Sequence, residues 1–424
     1  MSRQVKVDVH HLTRVEGHGN IRVRVKGGRL EEARWDVVET PRFFEVMFRG
    51  RDFRSVPLLA ARICGICSIS HCLTSLGATE DAFQLAIPKT AAKLRLLAKH
   101  GETLQSHLLH LFFLAMPDFL SLPSALPLLE TNPEAVEIAA RLKGLANRLC
   151  NTVAGRTTHP VSFRVGGVTM MPRSDELIDL RGELEHSLDD LAATVDLVKS
   201  FDLPDFARET EFVSLKAEGG YPFVGNRVIS SDGMECDAAN YLEVANEYVD
   251  VNNTSKWTRL SRGSYVVGAL ARFNNNHEFL HPEARRVARE MHLEPICHNP
   301  FMCNVAQLVE CIHCTHEAMH LIDELTASPP GELTTPTEPK AGQGVGAVEA
   351  PRGILFHDYT YDDDGRVVRA NCVVPTTQNN ANIHFDLQSL VKRLAEQGAR
   401  EKEIERKCSM LVRSYDPCLS CSVH

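Results

Sequence analysis

Cysteines separated by two residues are the side chains in this sequence best suited to bind a metal ion. Three such pairs occur: Cys64-x-x-Cys67, Cys311-x-x-Cys314 and Cys418-x-x-Cys421. In the first, an intervening glycine lets the backbone approach an ion, and His71 follows Cys67 by about one helical turn. Two thiolates and an imidazole would then face one point, which is a ligand set for soft and borderline metals.

The last pair lies at the end of the sequence, in Asp416–His424. Chain ends usually fray, so a terminal Cys-x-x-Cys-x-x-His segment needs something to hold it, and a metal would do so. Joining the outer pairs gives a four-thiolate site. Structural zinc is one interpretation, but zinc knuckles usually pair within about 20 residues and stabilise domains that lack a core. Nickel or iron, whose redox chemistry suits a sulfur shell, is favoured.

Composition excludes several classes of protein. The 424 residues include 46 Lys and Arg against 55 Asp and Glu, a formal net charge of −9, which disfavours nucleic-acid binding. With 43% hydrophobic and 24% charged residues the chain is expected to be globular, not disordered. No apolar run of about 18 residues predicts a membrane span, and the first residues lack the apolar stretch of a secretory signal.

The cysteine count indicates the compartment. Thirteen is an odd number in a large chain without a predicted signal, so thiolate chemistry is favoured over a disulfide framework. We therefore expect a reducing compartment.

The elements that must position these residues follow from hydrophobic periodicity. Residues 3–38 alternate in the manner of strands, with a turn at Gly27-Gly28, and predict a small antiparallel sheet. From about 56 to 330 the periodicity is helical and predicts a mainly α body. The long amphipathic segments lie near 73–87, 89–116, 134–150, 174–200, 236–252, 282–292 and 303–327.

The C-terminal part is predicted to return to β structure before it ends in helices. A loop from Pro329 to about Gly346 precedes strands at 353–361 and 366–374, then helices at about 384–397 and 400–413. We predict an α+β fold, mainly α, with a central bundle of long helices and small antiparallel β elements near both ends. The expected parts of a single unit, residues 1–424, are an N-terminal β lobe (1–55), a helical body (56–330) and a C-terminal part with the tail (331–424).

The outer cysteine motifs resemble those of the nickel-iron hydrogenase large subunit. Residues 62–71 match the family's Arg-x-Cys-Gly-x-Cys-x-x-x-His pattern, and residues 416–424 match its Asp-Pro-Cys-x-x-Cys-x-x-His pattern. Four more segments resemble the family in the same order: Arg14–His18, Pro41–Glu45, Glu349–Gly353 and Val374–Asn379. The likeness therefore covers essentially the whole chain, and it is closest to the shorter, soluble, cytoplasmic, multimeric members.

The resemblance implies two metal centres. Nickel would be bound by Cys64, Cys67, Cys418 and Cys421, with Cys67 and Cys421 bridging to an iron that carries carbon monoxide and cyanide. A magnesium or iron ion near the terminus would take Glu45, His424 and the backbone carbonyl near Cys372, which are plausible hard and borderline ligands. Such a centre would interconvert dihydrogen with two protons and two electrons.

It also implies roles for five polar residues. Glu16 would be the first proton carrier, and Arg352 would lie over the open side of the metals. Asp118 and Asp416 would hold Arg352, and His71 would hydrogen-bond a bridging sulfur. Ordinary structural roles remain open for these side chains and for Glu45: a turn carboxylate, a helix cap, a buried ion pair, a core histidine or a charge on a helix surface.

The resemblance implies partners as well. The remaining cysteines do not suggest a path for electrons, so an iron-sulfur small subunit is expected as the obligate partner, together with further flavin or iron-sulfur electron-transfer subunits. The end at His424 resembles the processed form of the family, from which a C-terminal peptide has been removed. No nucleic acid is expected to bind.

Two different functions compete with this interpretation. Residues 316–320 read His-Glu-x-x-His, the zinc-metallopeptidase motif in which His316 and His320 bind the ion and Glu317 is the base. No third ligand follows at a known spacing, which disfavours a peptidase. A metal-free structural relative in a redox complex would lack the four cysteines, and all four are present.

Two other patterns have a structural and a functional interpretation. A second metal centre near the helix at 303–327 would use the cysteines and histidines grouped there, but core packing is favoured because cysteine is a common core residue. The set comprises Cys297, Cys303, Cys311, Cys314, His298, His313 and His316. Gly342-x-Gly344-x-Gly346 weakly resembles a dinucleotide loop, but it follows a loop rather than a strand.

Overall fold

The computed structural model describes residues 4–327 and 329–424. Residues 1–3, of which Arg3 belongs to the predicted strand segment 3–38, and Ser328 lie outside the described residues. The helices are α1 Phe44–Phe48, α2 Val56–Ala60, α3 Ser68–Ala82, α4 Lys89–Leu109, α5 Met116–Phe119, α6 Leu128–Thr131, α7 Pro133–Ala154, α8 Ser174–Lys199, α9 Ala269–Asn276, α10 Pro282–Glu290, α11 Cys303–Thr326, α12 Pro375–Glu396 and α13 Glu401–Ser414. A π-helical turn, His110–Ala115, joins α4 to α5, and 3₁₀ turns cover Ala238–Glu243, His277–Phe279, Pro300–Met302 and Cys421–Val423.

The strands are short and form small sheets. They are β1 Gln4–Val9, β2 Gly19–Lys26, β3 Arg29–Val37, β4 Phe163–Arg164, β5 Gly167–Val168, β6 Glu211–Leu215, β7 Arg227–Ser230, β8 Glu235–Asp237, β9 Asn246–Tyr248, β10 Trp257–Arg259, β11 Tyr265–Val266, β12 Gly342–Ala350, β13 Gly353–Tyr361 and β14 Val367–Val373. The predicted α+β class, mainly α, is confirmed.

A bundle of long helices forms the centre, as the periodicity predicts. Helix α11 packs against α4 and α8, and α7 packs against α4 and α8. The first half of α11, residues 303–315, is buried on every side even at polar residues such as Gln307 and Glu310, so it lies in the middle of the bundle. Helix α7 begins where its sequence predicts, because the Asn132 side chain accepts a hydrogen bond from the Ala135 amide and Pro133 occupies the first turn.

The N-terminal residues form the predicted antiparallel sheet, in the order β1-β2-β3. Alternate residues of β2, among them Ile21 and Val23, are fully buried, so one face of the sheet packs on the rest of the protein. Trp35 of β3 joins this sheet to α12, and its indole N–H donates to the Asn380 side chain over 3.3 Å.

The predicted loop up to Gly346 is wrong, because β12 begins at Gly342 and pairs with β13. This strand lies against α3 so closely that a Cβ atom on Gly344 would come within 2.2 Å of the Ala82 amide nitrogen. A Cβ on Gly346 would come within 2.1 Å of the Thr74 carbonyl oxygen. The glycines of this segment therefore serve strand–helix packing.

A second prediction that the structure contradicts is the helix at 236–252. That segment contains β8, a 3₁₀ turn and β9. Tyr241 stacks on Phe356 of β13, and Val244 is buried in a small core shared with β6, β7 and β13. These contacts with strands distant in sequence outweigh the local helical periodicity.

The helices of the C-terminal part are confirmed, although α12 begins earlier than predicted, at Pro375. None of the helices in the described residues has the length and apolarity required to cross a membrane. The main hydrophobic core draws residues from Val5 to Val423, so it includes all three of the predicted parts.

Candidate metal centre

The two outer cysteine pairs meet in the interior of the protein. The Sγ atoms of Cys64 and Cys418 lie 3.5 Å apart, and both residues are at most 3% exposed. The ligand atoms of Cys64, Cys418 and Cys421 lie within 4.8 Å of one another, as do those of Cys67, His71 and Cys421. Within the described residues, each such cluster of three ligand atoms belongs to this site.

Helix α3 positions the first pair. Cys67 is the residue from which α3 starts, and its carbonyl accepts the His71 amide over 3.1 Å, so the first turn of the helix fixes both side chains. The Cys67 amide in turn donates to the Cys64 sulfur over 3.2 Å. Because α3 itself packs closely against β12, these contacts together fix the position of the first cysteine pair.

The tail that carries the second pair is held along its length. Leu419 donates its amide to the Glu16 carbonyl over 2.9 Å, which makes a parallel bridge to the N-terminal segment. The Cys418 amide donates to the Thr376 hydroxyl over 3.1 Å. These contacts explain why a chain end that would otherwise fray is ordered.

Arg42 connects the two cysteine segments and was not identified from the sequence. One of its guanidinium nitrogens donates both to the Ile63 carbonyl, over 2.6 Å, and to the Ser420 carbonyl. Ile63 precedes Cys64, and Ser420 lies between the cysteines of the tail. Arg42 is part of the Pro41–Glu45 motif, which is the sequence signal that points to it.

The thiol groups of the site do not share one protonation state. Hydrogen bonding from Cys418, and next from Cys421, lowers the pKa of Cys64 well below its usual value. By contrast, Cys418 raises the pKa of Cys421 well above it. Four adjacent thiolates repel one another, so a bound cation is what would allow all four to be deprotonated.

Glu16 contacts the site directly. Its Oε2 atom lies 3.2 Å from the Cys418 sulfur and accepts the Ser420 amide over 3.0 Å, and its Oε1 atom accepts the Ser420 hydroxyl. A carboxylate in hydrogen-bond contact with a cysteine sulfur is arranged for proton exchange with it.

Arg352 is buried beside the cysteines. Its Nε and Nη2 atoms donate to the carbonyl and carboxylate oxygens of Asp416 over 2.6 and 2.8 Å, and Asp416 adopts a left-handed backbone conformation, φ 48°, that presents both oxygens. Burial alone would lower the pKa of Arg352, but Asp416 and the thiolates of Cys418, Cys67 and Cys64 raise it well above its usual value. Arg352 therefore remains a cation.

The expected contact between Asp118 and Arg352 is not formed. Asp118 instead accepts two hydrogen bonds of 2.8 Å from Arg413 and a further one from Arg14. Besides the two Asp416 oxygens, Arg352 contacts the Ser106 hydroxyl, which lies 3.4 Å from Nη1 on the buried face of α4. Asp118 follows the π-helical turn and lies close to two other arginines, which satisfy its charge.

A buried ion network holds the backbone that precedes Arg352. Arg272 donates to both carboxylate oxygens of Glu310 over 2.6 Å and to Glu349 over 2.9 Å. It also donates to the carbonyls of Ala350 and Pro351 over 3.0 Å. Burial would raise the pKa of Glu310, but the Arg272 cation lowers it well below its usual value. Sequence reasoning did not identify Arg272 or Glu310.

His71 reaches the sulfur of Cys421. Its Nε2 atom lies 3.2 Å from that sulfur, and its Nδ1 atom lies 3.1 Å from Nε2 of His357. Burial lowers the pKa of His71 to about 4, so the ring is neutral.

The terminal histidine gathers the other predicted metal ligands. The Nε2 atom of His424 lies 3.1 Å from a carboxylate oxygen of Glu45 and 2.9 Å from the Cys372 carbonyl oxygen. Burial would lower the pKa of His424, but Glu45 raises it. A histidine nitrogen, a carboxylate and a carbonyl therefore point at one another at the end of the cysteine tail.

The competing patterns do not assemble a second centre. His316 stacks on His281 with ring centroids 3.9 Å apart, while His320 is exposed and lies 3.7 Å from Glu324. Cys303 and Cys311 are part of the hydrophobic core, where burial raises the pKa of the Cys311 thiol well above its usual value. The peptidase interpretation is not supported.

Comparisons with known proteins agree with this geometry. A family model described as nickel-dependent hydrogenase matches residues 42–148 and 263–424, more than half of the chain. Sulfhydrogenase 2 subunit alpha of Pyrococcus furiosus is 31% identical, over 99% of this chain and 98% of its own. The NAD-reducing hydrogenase HoxS subunit beta of Cupriavidus necator is 30% identical, over 100% of this chain and 95% of its own.

A solved structure has the same fold throughout. The crystal structure of an NAD⁺-reducing [NiFe]-hydrogenase in its H₂-reduced state superimposes with a TM-score of 0.90 at 28% identity, covering 99% of each chain.

Proposed function

Because this chain belongs to the nickel-dependent hydrogenase family, as a catalytic large subunit acting on dihydrogen, we propose that its four buried cysteines hold the nickel-iron centre of that reaction. The observation that carries the proposal is the 3.5 Å approach of the Cys64 and Cys418 sulfurs from opposite ends of the chain.

The donor set suits the proposed metals. Four thiolates without a cation would repel one another, and soft sulfur ligands favour redox-active nickel and iron. We assign nickel to all four cysteines; that Cys67 and Cys421 would also bind the iron rests on the family likeness. Carbon monoxide and cyanide as further ligands of the iron rest on the family likeness. When bound, nickel and iron supply Lewis-acidic, redox-active positions at which dihydrogen is cleaved into two protons and two electrons.

Glu16 is the proposed first proton carrier. The Cys418 sulfur receives a proton and passes it to Oε2 of Glu16, 3.2 Å away. The Ser420 amide and hydroxyl hold the carboxylate in place, and they stabilise its anionic form once the proton has moved on. Rotation of the carboxyl group then presents the proton to the solvent side.

Arg352 is proposed to balance the charge of the cysteines and orient the incoming molecule. Asp416 holds one edge of its guanidinium group, through Nε and Nη2, by the hydrogen bonds of 2.6 and 2.8 Å, and the Ser106 hydroxyl contacts Nη1. Asp416 acts here as a positioning residue, whereas Asp118 supports the fold through Arg413 and Arg14.

A magnesium or iron(II) ion is proposed at the terminus. Glu45, His424 and the Cys372 carbonyl would bind it, since the Glu45 and Cys372 oxygens both lie within 3.1 Å of Nε2 of His424. Such an ion would take the place of the direct hydrogen bonds between these groups and hold the end of the tail.

Electrons must leave to another chain, and an exposed apolar patch near the site suits that partner. The patch consists of Phe43, Val46, Met47 and Leu58, which are 44–64% exposed. Phe43, at the start of α1, directly follows Arg42, whose guanidinium group donates to the Ser420 carbonyl of the cysteine tail. Val46 and Met47 lie on α1, and Leu58 lies on α2. We propose that the iron-sulfur small subunit docks here, because contiguous exposed apolar residues mark interfaces.

The acceptor is proposed to be set by other subunits. The chain is about equally identical to relatives named sulfhydrogenase, F420-non-reducing hydrogenase and NAD-reducing hydrogenase. Further flavin or iron-sulfur subunits would therefore determine where the electrons go. A cytoplasmic location is proposed because all thirteen cysteines are free thiols, which a reducing compartment preserves.

Metal analysis and infrared spectroscopy of the purified complex test the proposal. We expect one nickel per chain, together with infrared bands of iron-bound carbonyl and cyanide, and uptake of dihydrogen. A complex that contains zinc instead of nickel, or that lacks these bands, would contradict it.

A further inference from the structure

A line of hydrogen bonds extends from the site into the strand β13. The His71 ring contacts the Cys421 sulfur through Nε2, over 3.2 Å, and contacts Nε2 of His357 through Nδ1, over 3.1 Å. The other ring nitrogen of His357, Nδ1, lies 2.6 Å from the Tyr359 hydroxyl. All three side chains are fully buried. One sulfur, two imidazoles and a phenol therefore form a continuous chain.

The spacing of α3 and β13 produces this arrangement. Residues 357, 359 and 361 alternate along the strand and share one face. Residues 71 and 79 lie two turns apart on one side of the helix, and Thr79 contacts the Tyr361 hydroxyl over 2.8 Å. Four residues of helix advance by about 6 Å and two residues of strand by about 6.8 Å, so the two elements remain in register.

The donor and acceptor of each hydrogen bond in this series follow from the groups at its two ends. A metal-bound thiolate accepts hydrogen bonds and cannot donate them, so Nε2 of His71 must carry the proton that faces Cys421. In the described part of the chain the ring nitrogens of His71 contact only Cys421 and His357, and a charged ring without a carboxylate partner is costly to bury. The ring is therefore neutral, and its Nδ1 accepts from His357.

The proton positions on His357 and Tyr359 follow from their surroundings. The His357 ring is fully buried, and within the described residues its nitrogens contact the His71 ring and the Tyr359 hydroxyl but no carboxylate, so the imidazole is neutral and the buried phenol keeps its proton. A neutral imidazole has one donor and one acceptor nitrogen. With Nε2 donating to His71, Nδ1 of His357 must accept, and the Tyr359 hydroxyl is the donor that it meets.

We propose that His357 and Tyr359 are positioning residues for the metal centre, which fix the tautomer of His71 so that every hydrogen bond in the chain points toward the Cys421 sulfur. Hydrogen bonds from neighbouring residues to the ligands of a metal are known to orient those ligands and to tune the electron density of the metal site. This inference rests on the proposed function, because Cys421 has to be a ligand of the iron for the effect to reach it.

The consequence is electronic. A hydrogen bond that is strengthened by the groups behind it withdraws more charge from the sulfur. Removal of the Tyr359 hydroxyl therefore leaves more charge on Cys421 and on the iron, which then donates more to its carbonyl ligand and weakens the C–O bond. The carbonyl stretching band should move to lower wavenumber.

Infrared spectroscopy of the holoenzyme complex carrying Tyr359→Phe tests this effect. Tyr361→Phe is the matched control, because Tyr361 is a buried phenol two residues along the same strand that contacts Thr79 and not the histidines. We expect a shift of the carbonyl band to lower wavenumber in Tyr359→Phe and an unmoved band in Tyr361→Phe. A Tyr359→Phe band at the wild-type position would overturn the proposal.

A second pair of variants covers the case in which Tyr359→Phe does not assemble. The amide of His357→Gln can still donate to His71, whereas His357→Leu cannot, so we expect the larger shift in the leucine variant. Equal band positions in these two variants would also overturn the inference. If the wild-type complex itself lacks carbonyl and cyanide bands, the proposed metal centre fails instead, so the two failures are distinguishable.

Discussion

The Sγ atom of Cys64 lies 3.5 Å from that of Cys418, although 353 residues lie between them in the sequence. The helix α3, packed against the glycines of β12, positions the first sulfur. The bridge between Glu16 and the tail positions the second. A site built in this way depends on the fold of the whole chain.

Loss of a bridging ligand should abolish metal binding. Cys421→Ala removes a sulfur proposed to be shared by nickel and iron, so we expect loss of nickel and of dihydrogen uptake. Metal analysis and a hydrogen-uptake assay measure this. Cys150→Ala, a buried cysteine of α7 outside the site, should retain both. Full nickel content in Cys421→Ala would remove Cys421 from the ligand set.

Glu16→Gln should separate proton transfer from metal binding. The amide is nearly isosteric with the carboxyl group but cannot carry a proton, so exchange of isotopes between dihydrogen and water should be strongly suppressed while nickel content is unchanged. Glu235→Gln, at a surface ion pair with Lys216, is the control. Normal exchange in Glu16→Gln would show that protons leave by another route.

Arg352→Lys should retain nickel but lose turnover. A lysine cannot reproduce the contacts of the guanidinium group with the two Asp416 oxygens and Ser106. Losing a charged hydrogen bond costs about 1.5–3 kcal/mol, which corresponds to a decrease of about 10- to 150-fold if the loss falls on the transition state. Steady-state hydrogen oxidation measures it, and an unchanged rate would contradict the assigned role.

Arg272→Met should destabilise the protein. It removes the cation that pairs with the buried carboxylates of Glu310 and Glu349, and breaking a buried ion pair in this way costs about 3–5 kcal/mol. Denaturant unfolding of the full chain measures the loss. The triple variant Arg272→Met/Glu310→Gln/Glu349→Gln removes the charges together and should be less destabilised. A single variant as stable as the wild type would show that the network contributes little.

Glu45→Gln should weaken the proposed magnesium site. A neutral amide is a poorer ligand than a carboxylate for a hard divalent cation, so we expect the magnesium content of the complex to fall. The exchange also removes the anion that raises the pKa of His424. Elemental analysis after dialysis measures the change, with Glu283→Gln, which pairs with Arg286 at the surface, as the control. Equal magnesium content in both variants would argue against the site.

The convergence of the outer cysteine pairs could be predicted from the sequence because these residues form local motifs, while their role as metal ligands remains a prediction. Cys-x-x-Cys spacing and the histidine one turn later are properties of a few consecutive residues. Likewise, the helices of the bundle have periodic apolar faces that can be read locally. The roles assigned to Glu16 and Arg352 remain predictions, although both side chains lie at the site.

Residues whose roles depend on a distant partner could not be predicted. Asp118 was assigned to Arg352, but a sequence does not reveal which of several arginines a carboxylate meets, and Arg413 and Arg14 are nearer. Ser106 has no motif that would mark it as the neighbour of Arg352. The sequence predicts a loop where β12 lies, because glycines are typical of loops. These glycines are required by the close packing of β12 against α3, which precedes it by more than 250 residues in the chain.

X-ray absorption at the nickel edge of the purified complex shows whether sulfur atoms from both ends of the chain bind one metal. We expect one nickel per chain surrounded by four sulfur atoms, with sulfur lost from its coordination, or nickel lost altogether, in both Cys64→Ala and Cys418→Ala. A nickel coordinated by nitrogen and oxygen, or a sulfur shell unchanged in either variant, would contradict it.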